Sequence, residues 1–319
     1  MRIARLKPQD ADRHGTYYHM MNRIAGLPGE FPFGDVEREM FIRLLKKLAA
    51  FYTLDLLSWQ VMGNHFHLIV FAPAKAVSPT EAARRYHEYY RNKKVIDPES
   101  PDCVALAAKL RDISEFMREL QHQFAAWYNR TRPVRRRGGL WADRFKSVVL
   151  EGSTAVWECL KYVELNCVRA RLVQDPADYR FGSWGEWNGS GRHPYADDLV
   201  RHLRYNLGEH TAVWTIHKFH SELRKELARV NAVEAGGTIL QIEAATELAA
   251  RRPAPLRILD RRVRYWSDGL VVGGMLFVRN LMASILPINQ VATHQTSPED
   301  AGEGARRLCA WRRLRVCDS

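Results

Sequence analysis

Two runs of strand-forming residues, 54–62 and 65–71, stand two residues apart, and the link between them is Gly63-Asn64. Glycine and asparagine accept the backbone angles of a tight reversal that most side chains resist, so this link predicts an antiparallel hairpin. No other local signal constrains the fold as much. It commits the chain to a sheet, and it decides which side chains leave on the same side: His65 and His67 on one face, Phe66 and Leu68 on the other.

The rest of the chain supplies partners for that hairpin. Residues 16–23 (TYYHMMNR) are rich in β-formers and predict a first strand, followed by a loop marked by Gly26, Pro28, Gly29 and Pro32. Asp35 is expected to cap a helix running to about residue 52, with a buried stripe of Phe41, Leu44, Leu45, Leu48 and Phe51. A second helix is expected over 80–93. A long amphipathic one is expected over 104–128, its stripe running from Leu106 through Met117 to Trp127. A basic, turn-rich loop (NRTRPVRRRGG, 129–139) leads into a strand over 140–150 and a helix over 155–170. Helices alternating with hairpin strands predict an α+β fold, an antiparallel sheet with helices packed on it. Past Trp187 the segment NGSGRHPYADD (188–198) is linker-like. The expected division is a domain over 1–190 and a helix-rich C-terminal extension over 191–319.

Charge narrows the partner. Of the 319 residues, 48 are Lys or Arg and 36 are Asp or Glu, a net +12 with a pI near 9.6. Such an excess favours a polyanion, nucleic acid before an anionic membrane. The five cysteines are scattered, odd in number and lack a C-x-x-C pair, which argues against a disulfide scaffold and a cysteine zinc site and for a reducing compartment. The first residues are polar, without the apolar core of a signal peptide, and no apolar run approaches the ~18 residues that span a bilayer. A cytoplasmic protein that does not engage membranes is expected.

Two adjacent imidazoles on one strand face can both give a ring nitrogen to one divalent cation; the competing reading is a pair of polar residues on a half-solvated sheet. On the helix over 155–170, Val156, Cys159, Leu160, Val163 and Cys167 form the expected core stripe. Tyr162 and Asn166 lie one turn apart on an adjoining face, and Glu158 one turn before reads as a surface charge. A phenol and an amide oxygen so placed can meet one cation and one phosphate, although a single tyrosine there is more often half-buried packing.

The segments VMGNHFHLIV (61–70), GGLWADRFKSVVLEG (138–152) and LKYVELNCVRARLV (160–173) closely resemble the single-tyrosine HUH transposases, in particular the REP-associated branch. The resemblance covers about residues 12–187. It implies a ferredoxin-like HUH sheet, Tyr162 as the catalytic nucleophile, and His65, His67 and Asn166 as ligands of Mg²⁺ or Mn²⁺. The implied substrate is single-stranded, hairpin-forming, REP-like DNA, cleaved and rejoined through a 5′-phosphotyrosine. One departure is Cys167, where the branch commonly has proline; it lies past the ligand and bears on the helix ending alone.

DNA contacts are expected from Arg130, Arg132, Arg135, Arg136 and Arg137 of the basic loop and from Arg144 and Lys146 behind it. Trp141 and Tyr128 are candidate platforms for unpaired bases, and Phe145 is read as core. The competing readings are a relaxase-like or replication-initiator nickase, a catalytically idle DNA-binding descendant of a transposase, and an RNA-processing enzyme. A homodimer is compatible with all of them.

Overall fold

The computed structural model describes residues 6, 8, 11–27, 29–133, 138–152, 154–190, 195–207, 219–221, 223–225, 227–228, 266, 269–283 and 309–312. The chain divides into two compact units, Met1–Val149 and Leu150–Ser319.

In the first unit a short helix α1 (Ala11–His14) precedes β1 (Thr16–Arg23), whose bounds are those expected from its β-formers. Strands β2 (Asp55–Val61) and β3 (His65–Ala72) form the hairpin, closed by Met62 N donating to His65 O at 2.8 Å. β3 pairs antiparallel with β2 on one side and β1 on the other, and β4 (Lys146–Leu150) lies beyond β1. The α+β class with an antiparallel sheet is therefore as expected. Gly15 enters β1 at φ +75, and a Cβ there would sit 2.3 Å from the Phe71 ring, so no larger residue fits.

Three helices pack around this sheet differently from the expectation. In α2 (Asp35–Phe51) the cap is Gly34, not Asp35: Glu37 reaches back to accept from Gly34 N at 2.8 Å, while Asp35 pairs with Arg38 at 2.7 Å. α3 (Pro79–Tyr89) starts on Ser78, whose Oγ accepts from Glu81 N. It stops short of residue 93 because Arg91 and Asn92 take φ of 51 and 57. The long helix expected over 104–128 is two, α4 (Pro101–Lys109) and α5 (Ile113–Arg130). Asp112 ends the continuity by accepting from Ser114 N at 2.6 Å and Glu115 N at 3.2 Å, a cap that starts a new helix within an unbroken apolar period. Phe41 of α2 meets Phe66 (ring centroids 4.6 Å apart) and Phe124 of α5 (5.3 Å), so α2 and α5 cover the Phe66 face of β3.

The strand expected over 140–150 begins at Lys146. Before it, Ala25 N bonds Leu140 O and Ala142 N bonds Arg23 O, and Asp143 then bends the chain.

In the second unit, α6 (Thr154–Glu164) and α7 (Asn166–Arg169) replace the single helix expected over 155–170, with the break at Leu165. All ten residues Ala155 to Glu164 are buried, so α6 has no solvated face. A 3₁₀ turn (Pro176–Asp178), α8 (Ser183–Ser190) and α9 (Ala196–Leu207) follow. β5 (Gly269–Gly273) pairs antiparallel with β6 (Cys309–Arg312), adding two strands to a tail expected to be helical, and α10 (Met275–Ala283) follows β5. Glu151 ties this part together: its N bonds Val272 O at 2.9 Å, and its carboxylate accepts from Gly274 N ahead of α10. Among the described residues no helix is long and apolar enough to cross a membrane.

Candidate active site

The alternation of β3 does what the sequence predicts for the two histidines. His67 sits opposite Met21 of β1 and Gln60 of β2, His65 sits opposite Arg23, and Phe66 turns to the helices. The two imidazoles are perpendicular, with ring centroids 5.1 Å apart. His67 is 4% exposed and His65 half-buried. Burial, with the Arg23 charge adding to it, brings the His65 pKa down from its ordinary 6.5 to about 4. Burial lowers His67 well below its usual value, and His19 and His65 reinforce this. Both rings are thus held neutral, the form in which imidazole can coordinate a cation.

Each ring is also fixed by a hydrogen bond at Nδ1. His65 Nδ1 lies 2.7 Å from Asn64 Oδ1, and Asn64 Nδ2 donates to Glu30 O at 3.0 Å. His67 Nδ1 lies 2.9 Å from Nε2 of His19, a fully buried residue of β1 whose ring stacks on that of His67 at 5.1 Å. Sequence reasoning passed over His19. Its signal was present, a histidine within a strand of mostly aromatic and methionine residues and an even number of positions from Arg23, but its partner is visible only once the β1–β3 register is known. Among the described residues no group of three or more His, Cys, Asp or Glu side chains is placed to hold a metal ion.

The other predicted residues lie in the second unit. Tyr162 is in the last turns of α6 and Asn166 opens α7. Tyr162 is 2% exposed, its ring stacked on Trp266 with centroids 6.0 Å apart and the Arg169 guanidinium 5.4 Å from the ring centroid. Asn166 Nδ2 is buried and has no hydrogen-bond partner among the described residues, a donor kept in reserve at real cost. Glu158 is not the surface charge expected. It is buried and pairs with Lys161 at 2.6 Å, because α6 has no solvated side to carry either group.

Of the expected DNA-contact residues, Arg130, Arg144 and Lys146 are exposed. Arg132 pairs with Glu37 and lies over the Tyr128 ring at 4.4 Å; Arg135, Arg136 and Arg137 fall outside the described residues. Tyr128 and Phe145 are buried, and Trp141 packs on Phe66 (5.6 Å) and Phe124 (5.8 Å) while its Nε1 donates to Gln121 O at 3.1 Å.

No protein-family model matches the sequence. No curated protein matches it either. Among solved structures, the chain is similar to one described as "Structure of the REP associates tyrosine transposase bound to a REP hairpin", with a TM-score of 0.40 and 15% sequence identity over 61% of this chain and 90% of that one.

Proposed function

We propose that this protein is a divalent-cation-dependent, single-tyrosine DNA transposase, a single-strand endonuclease and strand transferase acting on hairpin-forming DNA. The observation that carries the reading is the pair His65 and His67, neighbours on one face of β3 with His67 buried and His65 half-buried, a setting that favours the neutral form of both rings. Two neutral imidazoles at a sheet face fit Mg²⁺ or Mn²⁺, with Mn²⁺ the better match in ligand softness. Asn166 is assigned as the third ligand through its amide oxygen. The cation, when bound, supplies Lewis-acid polarisation of a scissile phosphate.

Tyr162 is the assigned nucleophile. Its Oη forms a bond to phosphorus as the bond from phosphorus to O3′ breaks; the phenol proton is lost and the leaving O3′ gains one. The 5′-phosphotyrosine keeps the energy of the broken bond, so a second 3′-OH can displace the phenol and join a new strand without ATP. The unpartnered Nδ2 of Asn166 supports a role beside an anion, since a buried amide donor is satisfied by a phosphate oxygen. Exposed Arg130, Arg144 and Lys146 supply cationic contacts for the DNA backbone, and Arg132, Arg135, Arg136 and Arg137 are assigned the same role on their charge.

The test is incubation with end-labelled single-stranded hairpins and Mg²⁺ or Mn²⁺, followed by denaturing electrophoresis. A covalent protein–DNA band that disappears with chelator and in His65→Ala supports the reading. Chelator-independent cleavage without a covalent band defeats it.

A further inference from the structure

We propose that Asn64 and His19 are positioning residues that take the Nδ1 protons of His65 and His67, so that both imidazoles present an unprotonated Nε2 to a divalent cation. This rests on the reading of His65 and His67 as a cation-holding pair.

The Asn64 half follows from donor and acceptor bookkeeping alone. The amide is oriented by its own second bond: Nδ2 donates to the Glu30 carbonyl at 3.0 Å, which turns Oδ1 towards His65. An amide oxygen accepts and never donates, so the 2.7 Å contact requires the proton on His65 Nδ1. A neutral imidazole carries one N–H, and His65 Nε2 is therefore left with its lone pair.

The His19 half involves one proton shared between two rings. His19 Nε2 and His67 Nδ1 lie 2.9 Å apart in hydrogen-bond geometry, so one nitrogen carries the proton and the other accepts it. If His19 donated, the neutral His67 ring would hold its own proton on Nε2 and that nitrogen could not coordinate. If His67 donates, its Nε2 carries the lone pair, as that of His65 does. The second arrangement also strengthens itself, since electron withdrawal through Nε2 makes the Nδ1–H a better donor. His19 itself stays out of the ligand set, as no three such side chains among the described residues are placed to share a metal ion.

The register explains why these two residues can act. Asn64 is the last residue of the hairpin link, and Ile24 N bonds its carbonyl at 2.9 Å, so its backbone is held where its side chain meets the next residue. His19 faces Ile69, one same-face position along β3 from His67, which gives the diagonal approach two rings need.

The experiment has two readouts on the full chain. Long-range ¹H–¹⁵N correlation spectra of the metal-free protein near neutral pH report which nitrogen of each ring is protonated. The expected result is Nδ1–H on both His65 and His67. Mn²⁺ binding without DNA, followed by electron paramagnetic resonance, then compares variants whose fold is checked by circular dichroism. His19→Leu and Asn64→Leu should each weaken Mn²⁺ binding by ~10–100-fold. His19→Gln, which can put an amide oxygen in place of the accepting ring nitrogen, should bind close to the parent. A proton on Nε2 of either ring overturns the assignment for that ring, as does unchanged Mn²⁺ affinity in its folded Leu variant. If the parent binds Mn²⁺ no better than His65→Ala, the cation reading of the pair fails, while the ring-proton result still decides the tautomer assignment on its own.

Discussion

Trp266 lies face to face with Tyr162, the two ring centroids 6.0 Å apart and the planes 27° from parallel. Both side chains are almost wholly buried. Removing the indole should therefore do two things at once. Trp266→Ala is expected to lower stability by ~3–5 kcal/mol, read from urea melts, as for other large aromatic truncations in cores. It should also raise the rate at which tetranitromethane modifies Tyr162, read by peptide mass spectrometry. An unchanged nitration rate would mean that the indole does not shield the phenol.

Tyr162→Phe removes one hydroxyl and keeps the ring. The change should abolish the covalent protein–DNA band while leaving hairpin affinity near that of the parent in a gel-shift titration, with a stability change of about 1 kcal/mol from the missing hydroxyl. A persisting band would assign the nucleophile elsewhere.

The buried pair Glu158–Lys161 gives a sharper stability test. Lys161→Met strands a carboxylate inside α6 and should destabilise the protein by ~3–5 kcal/mol. The double variant Glu158→Gln with Lys161→Met removes both charges and should recover most of that loss. Additive losses in the two single variants and the double would show that the two groups are not coupled.

Acid sensitivity follows from the histidine face. His65 has a folded pKa of about 4 against an ordinary 6.5, so between those values the unfolded chain binds more protons than the folded one. Stability is then undiminished above pH 6.5 and falls as pH drops through that window towards 4, with His67 adding to the fall. Urea midpoints measured across the window should decline, and His65→Gln should decline less steeply.

The exposed cations make a salt prediction. Replacing Arg130, Arg144 and Lys146 by Ala should weaken hairpin binding and flatten its salt dependence by about 0.7 in log–log slope for each single-strand phosphate that is no longer neutralised. A weakened affinity with an unchanged slope would place these side chains away from the DNA backbone.

What the sequence made legible was the part governed by short-range rules. β1 and the hairpin could be drawn from β-formers, alternation and Gly63-Asn64, and the shared face of His65 and His67 came with them. The division between α4 and α5 was hidden because the apolar period runs on through Leu110 and Ile113, while Asp112 stops the helix by a side-chain bond that periodicity does not see. The setting of Tyr162 was hidden for a related reason. Glu158 reads as a surface charge, yet it and Lys161 neutralise each other inside, and Glu164 is satisfied by Ser183 and by Trp184 N from a distant stretch. His19 needed the pairing of two strands before its partner, forty-eight positions away, could be named.

β3 is paired on both of its edges, with Met21, His67 and Gln60 abreast. A residue gained or removed inside it cannot be absorbed by sliding against one neighbour without breaking step with the other. Because the period is two, such an indel would exchange imidazole for phenyl on the chemical face from that point onward. Related chains that keep this pairing should therefore vary in letters along 65–72 yet not in length.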